Sequence, residues 1–151
     1  MKTIIQKVKK ASVDVEGKLY NEIEEGFVLL VGIEESDTLE DLKRSSSKIA
    51  KMRIFEDEEG KLNRSILDVN KEILSISQFT LAADTRKGNR PSFTNAMSAD
   101  KANEFFELFN DLLRAEGLVV KTGQFQTHMN VKLDNDGPVP IILEVRDGKV
   151  I

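Results

Sequence analysis

Three short segments hold residue types that could do chemistry. The first is Ser77-Gln78-Phe79-Thr80-Leu81, which follows an apolar run containing Ile73, Leu74 and Ile76. One reading is an alternating, half-exposed strand. The other is that the strand end presents a hydroxyl, an amide side chain and backbone N–H groups, the parts that bind a developing oxyanion in acyl transfer. The second segment is Asn135-Asp136-Gly137-Pro138-Val139-Pro140. Asn, Asp and Gly tolerate positive φ or cap their own backbone, so a tight connection between two strands is expected. Its Gly-Pro bond is compatible with either peptide isomer. The third is Arg86-Lys87-Gly88-Asn89-Arg90-Pro91-Ser92-Phe93. Three cations on a Gly- and Pro-containing loop suit phosphate contacts, and a plainly solvated loop would have the same composition. Lys2, Lys7, Lys9 and Lys10, with Lys48, Lys51 and Arg53, add positive charge that can gather on one face. His128 is the only histidine, so it reads as a surface or packed strand residue and not as a metal ligand.

Composition narrows the chemistry further. The chain has 151 residues and no cysteine, which removes disulfides, thiolate metal sites and thiol nucleophiles together. With 22 basic and 26 acidic residues its net charge is −4, which counts against a protein held to nucleic acid mainly by bulk charge. Forty per cent hydrophobic and 32% charged residues are ordinary for one globular domain spanning 1–151. No apolar run approaches the ~20 residues of a membrane span, and Met1 to Lys10 lacks the apolar stretch of a signal peptide. A soluble cytoplasmic domain is expected.

The elements that must position these residues follow from periodicity. Ile4 to Val8 and Ser12 to Glu16 read as strands, with a turn at Glu16-Gly17-Lys18 leading into Leu19 to Ile23. Phe27 to Ile33 is short, continuous and apolar with β-branched residues, which suits a strand buried on both faces, while periodicity alone also fits a buried helix segment. Asp37 with Glu40 fits a capping box for a helix whose apolar stripe is Leu39, Leu42, Ile49 and Met52, with Ser45 to Lys48 mostly facing solvent. Ser98 is placed to cap a second helix with the apolar face Ala102, Phe105, Phe106, Phe109, Leu112 and Leu113, ended by Gly117. Asp57 to Lys61 reads as a turn. Glu72 to Leu81, Thr127 to Leu133 and Val139 to Val145 read as strands, the last closed by a turn at Asp147-Gly148. The expected class is α+β, a curved, mainly antiparallel, barrel-like sheet with two main helices.

Taken together, the motifs resemble the D-aminoacyl-tRNA deacylases over the whole chain. The resemblance runs through Gln6-Lys7-Val8, Ala11-Ser12-Val13, Leu30-Val31-Gly32-Ile33, Ser77-Gln78-Phe79-Thr80-Leu81 and Lys87-Gly88-Asn89-Arg90-Pro91. It continues through Lys121-Thr122-Gly123, Phe125 and Met129 to Asn135-Asp136-Gly137-Pro138-Val139. Three positions depart from the family pattern. Pro140 stands where threonine is usual, Lys7 where an arginine braces the Gly-Pro loop, and Gln126 where glycine is usual.

The resemblance implies hydrolysis of the ester of D-aminoacyl-tRNA by a homodimer that needs no metal and no cofactor. It implies a cis Gly137-Pro138 loop that enters the partner's pocket and turns its carbonyls to the substrate's α-amino group. An L side chain would be driven into this loop, so selection is by exclusion, and glycyl-tRNA should be a partial substrate. Ser77, Gln78, Phe79 and Thr80 would surround the scissile ester, and Phe125 and Met129 would hold the terminal adenine. Thr80 is the natural nucleophile, yet no base in the sequence obviously activates it. Water assisted by the substrate's own ribose hydroxyl is the favoured alternative, with backbone N–H groups near Phe79 and Thr80 holding the oxyanion. Arg86, Lys87 and Arg90 would hold the acceptor end of the tRNA. Two rival readings use the same residues: an RNA-binding module without catalysis, and a structural protein whose Gly-Pro turn pins a dimer.

Overall fold

The longest alternating segment organises the molecule. In the computed structural model, which describes residues 1–151, a single strand β1 (Lys2–Val15) replaces the two expected strands. Thr3, Ile5, Val8, Ala11, Val13 and Val15 are all buried along it. Its first half pairs antiparallel with β3 (Gly26–Gly32), and its second half with β2 (Lys18–Ile23). Its other edge pairs with β8 (Met129–Arg146), which carries β9 (Lys149–Val150) beyond it.

On the far side of β3 the sheet becomes parallel. β6 (Glu72–Ser77) pairs parallel with β3, and β7 (Val119–Thr122) pairs parallel with β6. The full order is β7-β6-β3-β1-β8-β9, so the sheet is mixed but mostly antiparallel. Parallel pairs need long crossovers. The first contains α1 (Leu39–Lys51), the hairpin β4 (Arg53–Glu56) to β5 (Leu62–Ser65), and the short α2 (Ile66–Val69). The second contains α3 (Ala99–Ala115). Of these, the β4–β5 pair, α2 and β7 have no counterpart in the sequence reading, because each is only four residues long.

The two faces of the sheet bury two separate cores. Phe27, Leu29, Val31 and Ile73 join Leu42, Ile49, Phe106, Phe109 and Leu113 under the helices. Val28, Leu74 and Ile76 face the inside of the curl with Val8, Val13 and Ile23. β3 is therefore buried on both faces, as its composition suggests.

Helix α1 departs from expectation at two points. Its cap is Thr38, not Asp37, and Asp41, not Glu40, completes the box by accepting from the Thr38 N–H at 2.8 Å and hydroxyl at 2.9 Å. Asp37 is instead buried against the Met1 ammonium and accepts from the Glu34 N–H at 2.7 Å. Burial pushes the Asp37 carboxyl up in pKa, and these two donors offset only part of that. Ser45 and Ser46 are buried rather than solvent-facing, because helix α1 turns its small residues towards the core beside Leu42, Ile49 and Ala50. At α3, Ser98 stands at the cap position without a capping side-chain bond, while Gly117 follows the helix with φ +103° as expected.

Asp41 is buried and also accepts from the Gly148 N–H at 2.8 Å, joining α1 to the β8–β9 turn. Burial alone would raise its pKa, but the bonds from Gly148 and Thr38 outweigh it and hold the carboxyl below its ordinary range. Asp41→Ala should therefore cost about 1–3 kcal/mol in chemical denaturation at neutral pH, since three donors lose a charged acceptor. A depressed folded pKa contributes fully above ~pH 4, and the contribution is lost as pH falls through the folded value. The gap between wild type and variant should accordingly close in acid.

Candidate active site

Because β3 and β6 run parallel, their carboxyl ends meet at one edge of the sheet. The Gln78 N–H still reaches Val31 O at 2.8 Å, and then the chain tightens into a single 3-10 turn, Phe79–Ala82. The expected strand to Leu81 thus stops at Ser77. Gly32 makes the turn possible. A Cβ there would stand 2.6 Å from Leu81 Cβ and 3.2 Å from Gln78 O, so the turn rests on bare backbone. Within the turn the first i→i+3 bond is made by Leu81 to Gln78 O at 3.2 Å. The N–H groups of Phe79 and Thr80 precede it and have no acceptor inside the turn.

A second glycine shapes the opposite wall. Gly123 follows β7 and bonds Ser75 O at 3.2 Å, and a Cβ on it would lie 2.5 Å from Met129 Sδ. Met129 therefore passes directly under this backbone. Between them Gln126 sits at φ +58°, where a glycine would carry no Cβ penalty. The Ala96–Met97 segment, tied by the Met97 N–H to Ile33 O at 3.1 Å, and the first turn of α3 complete the enclosure.

The result is a cleft of about 490 Å³. It brings together Ser77, Gln78, Phe79, Phe125 and Met129. It also recruits Met97, Ala102 and His128, which the sequence gave no reason to place there. The lining contains no carboxylate, and His128 is its only titratable side chain. Thr80 is exposed outside the lining, and its hydroxyl accepts from the Gln78 amide at 2.5 Å. No side chain that could take its proton is bonded to it.

Lys7, Gly137 and Pro138 lie away from this cleft. The Asn135–Pro140 segment is not a connection between two strands but an interruption within β8. Gln6 pairs with Pro140 and Val8 with Asn135, so Lys7 alone faces the four residues Asp136 to Val139. The Gly137-Pro138 peptide is cis, and both residues are exposed. Gly137 has φ +123°, and a Cβ on it would meet Val139 Cγ2 at 2.6 Å, so only glycine fits. Buried Lys7 sets its ammonium 3.8 Å from Asp136 Oδ2 and 5.4 Å over the Phe55 ring. Asn135 donates to Gln6 Oε1 at 3.3 Å. A lysine can thus brace the bulge, through one point charge where an arginine fork would offer two bonds.

The cationic loop hangs beside the cleft. Asp84 and Ser92 exchange backbone bonds at 2.8 and 2.9 Å, and Phe93 packs edge-on against Phe79 with centroids 5.1 Å apart. Arg86 grips Asp84 through two bonds at 2.8 and 2.6 Å. Those bonds hold the Asp84 carboxyl well below the usual carboxylate range and raise the Arg86 guanidinium further. Lys87 and Arg90 are exposed and form no ion pair within the chain.

A mainly apolar cleft walled by a backbone turn with N–H donors left over is the equipment of an acyl-ester hydrolase. Comparison with known proteins then places the sequence. The family described as D-Tyr-tRNA(Tyr) deacylase matches residues 4–144. Two proteins named D-aminoacyl-tRNA deacylase, from two strains of Staphylococcus aureus, are 55% and 54% identical over 99% of both chains. A solved structure titled c-Myc DNA Unwinding Element Binding Protein shares 41% identity and a TM-score of 0.91, covering 97% of this chain and 99% of its own. Another, titled as a probable eukaryotic D-amino acid tRNA deacylase, shares the fold at a TM-score of 0.81 and 14% identity. The chain belongs to the D-Tyr-tRNA(Tyr) deacylase family.

Gly32→Ala tests whether the close approach builds the site. It should lower stability by about 1–3 kcal/mol, the usual cost of forcing an extra carbon into packed structure. It should also shift the amide resonances of Gln78 to Leu81 more than those of the β1–β2 hairpin.

Proposed function

We propose that this chain hydrolyses the ester linking a D-amino acid to the terminal ribose of a tRNA. The observation that carries the reading is the single cleft that joins Ser77, Gln78 and Phe79 to Phe125 and Met129. Phe125 and Met129 offer an aromatic face and a polarizable sulfur to the terminal adenine. With adenine there, the acyl ester lies beside the turn. Water attacks the carbonyl carbon, and the neighbouring ribose hydroxyl relays its proton. The tetrahedral oxyanion is held by the Phe79 and Thr80 N–H groups. Collapse breaks the ester C–O bond, and the leaving ribose oxygen takes up the proton. Free D-amino acid and tRNA result.

This route uses no metal and no side-chain nucleophile. The absence of carboxylates from the lining, and of any group that orients His128, support assigning base catalysis to the substrate. Stereochemistry is decided by a second copy of the chain. Its exposed Gly137-Pro138 loop, fixed by Lys7 and Asp136, enters the cleft and presents carbonyl oxygens to the α-ammonium. An L side chain collides with the loop, a D side chain points away, and glycine passes in part. A homodimer acting on cytoplasmic tRNA is therefore the working unit. No helix is long and apolar enough to cross a membrane.

Turnover of matched D- and L-aminoacyl-tRNA separates the parts of this mechanism. Thr80→Ala should retain activity within about tenfold, the range of a lost neutral contact and not of a lost nucleophile. Gly137→Ala should hydrolyse the L ester as well, because the displaced loop no longer excludes it. Abolished turnover in Thr80→Ala with binding intact would restore the side-chain nucleophile.

Affinity resides on the rim. Lys87 and Arg90 are free to meet phosphates, whereas Arg86 is committed to Asp84. Lys87→Ala with Arg90→Ala should flatten the log-log salt dependence of tRNA binding by up to ~1.8, as each lost phosphate contact removes ~0.7–0.9. The preference for D over L should stay as it is. Binding measured from low to moderate salt gives both slopes.

A further inference from the structure

A second cavity of about 420 Å³ lies on the other side of Phe125, and nothing in the deacylation mechanism uses it. Helix α3 supplies Asn103, Glu107, Asn110 and Arg114 to its wall, and β2 supplies Tyr20. Its floor holds an anomaly. Asn110 is only 2% exposed, and its Oδ1 has no hydrogen-bond donor. A buried amide left unpartnered in the middle of a helix is costly unless something outside the protein fold completes it. Glu107, exposed one turn away, has no ion-pair partner, while Arg114 is engaged by Asp111 at 2.9 Å and Val120 O at 2.8 Å. The unused groups are therefore the Glu107 carboxylate and the carboxamides of Asn103, Asn110 and Gln124, beside the aromatic rings of Phe106, Phe125 and Tyr20.

That combination suits a planar, donor-bearing heterocycle. Single-stranded RNA ends are read by splaying bases against aromatic side chains and bonding their exposed edges. A carboxylate accepts from the exocyclic amine of cytosine, and a carboxamide can both donate and accept. Uracil presents a carbonyl in place of that amine and would oppose the carboxylate. Phe125 is shared by the two cavities, with its ring 6.5 Å from Phe106, so a strand whose last base fills the cleft would deliver its preceding base here. We propose that this groove binds the penultimate nucleotide of the acceptor strand, a cytosine in tRNA, through Glu107 and Asn110. The inference rests on the adenine placement of the proposed function. It makes the enzyme a reader of two bases, not one.

The test is binding without an ester. Adenosine, cytidylyl-adenosine and uridylyl-adenosine are titrated into the intact protein and followed by NMR. Cytidylyl-adenosine should bind about tenfold more tightly than uridylyl-adenosine, the discrimination typical of one good base contact. It should also shift the Asn110 side-chain amide, which adenosine alone leaves in place. Glu107→Gln, an exposed and isosteric change, should bring the two dinucleotides within about twofold, because a carboxamide can donate to uracil. Equal affinities in the wild type, or an undiminished preference in Glu107→Gln, would overturn the assignment. A chain that shows the preference yet hydrolyses no D ester would keep this inference and sink the deacylase reading. A chain that deacylates without the preference would do the reverse.

Discussion

The pairing of β1 with β8 is the constraint on which the rest of the molecule depends. It runs from Lys2 to Val15, and it is broken where Lys7 faces four residues of β8. A bulge this large leaves ladder groups unpaired and would be free to move without support. Support comes from beneath: a buried ammonium between Asp136 and the Phe55 ring, and the Gln6–Asn135 bond beside it. Gly137 and Pro138 are thereby carried on a braced outcrop. In the proposed mechanism the loop selects by collision and needs that bracing, because a loop that yields to an L side chain rejects nothing.

The cleft obeys a related logic at the opposite edge of β3. Two parallel strands end together, and two glycines let backbone and side chain approach more closely than any Cβ permits. Gly32 admits the turn that carries the N–H donors, and Gly123 admits Met129. Neither glycine touches substrate in the proposed mechanism. Each sets the distance between groups that do. The cleft and the Gly-Pro outcrop are separate features of one chain, which is why the proposed mechanism joins them through a second copy.

Much of this was legible in the sequence where the signal was local. A continuous apolar run with β-branched content marked β3 as buried on both faces, and the aromatic stripe of α3 ended at Gly117 as expected. The Ser77–Thr80 and Asn135–Pro140 segments stood out by composition alone. What stayed hidden depended on tertiary contacts. Nothing in the residue types distinguishes a hairpin from a bulge within β8, since both favour Asn, Asp and Gly, and only pairing with β1 decides. The strand through Leu81 was cut short by the close approach at Gly32. Asp41 rather than Glu40 completes the α1 cap because Thr38 takes the cap position while Asp37 turns to the Met1 ammonium, 36 residues away in sequence. The bonds from Arg86 to Asp84 likewise form only in the folded loop, and residue types alone do not announce them.

The central claim is that chirality is enforced by the Gly-Pro loop of one copy acting in the cleft of another, and mixing two variants tests it directly. One copy, Gly137→Ala, has an intact cleft and hydrolyses L as well as D esters. The other has its cleft filled by Ala99→Trp and, being inactive itself, keeps an intact Gly-Pro loop. Unfolding and refolding the first with a growing excess of the second places almost every working cleft opposite a normal loop, as an isologous pair requires. L-ester hydrolysis per working cleft should then fall towards the wild-type level while D-ester hydrolysis persists. L-ester hydrolysis that stays constant as the cleft-filled copy is added would contradict the account, because selection would then lie within a single chain.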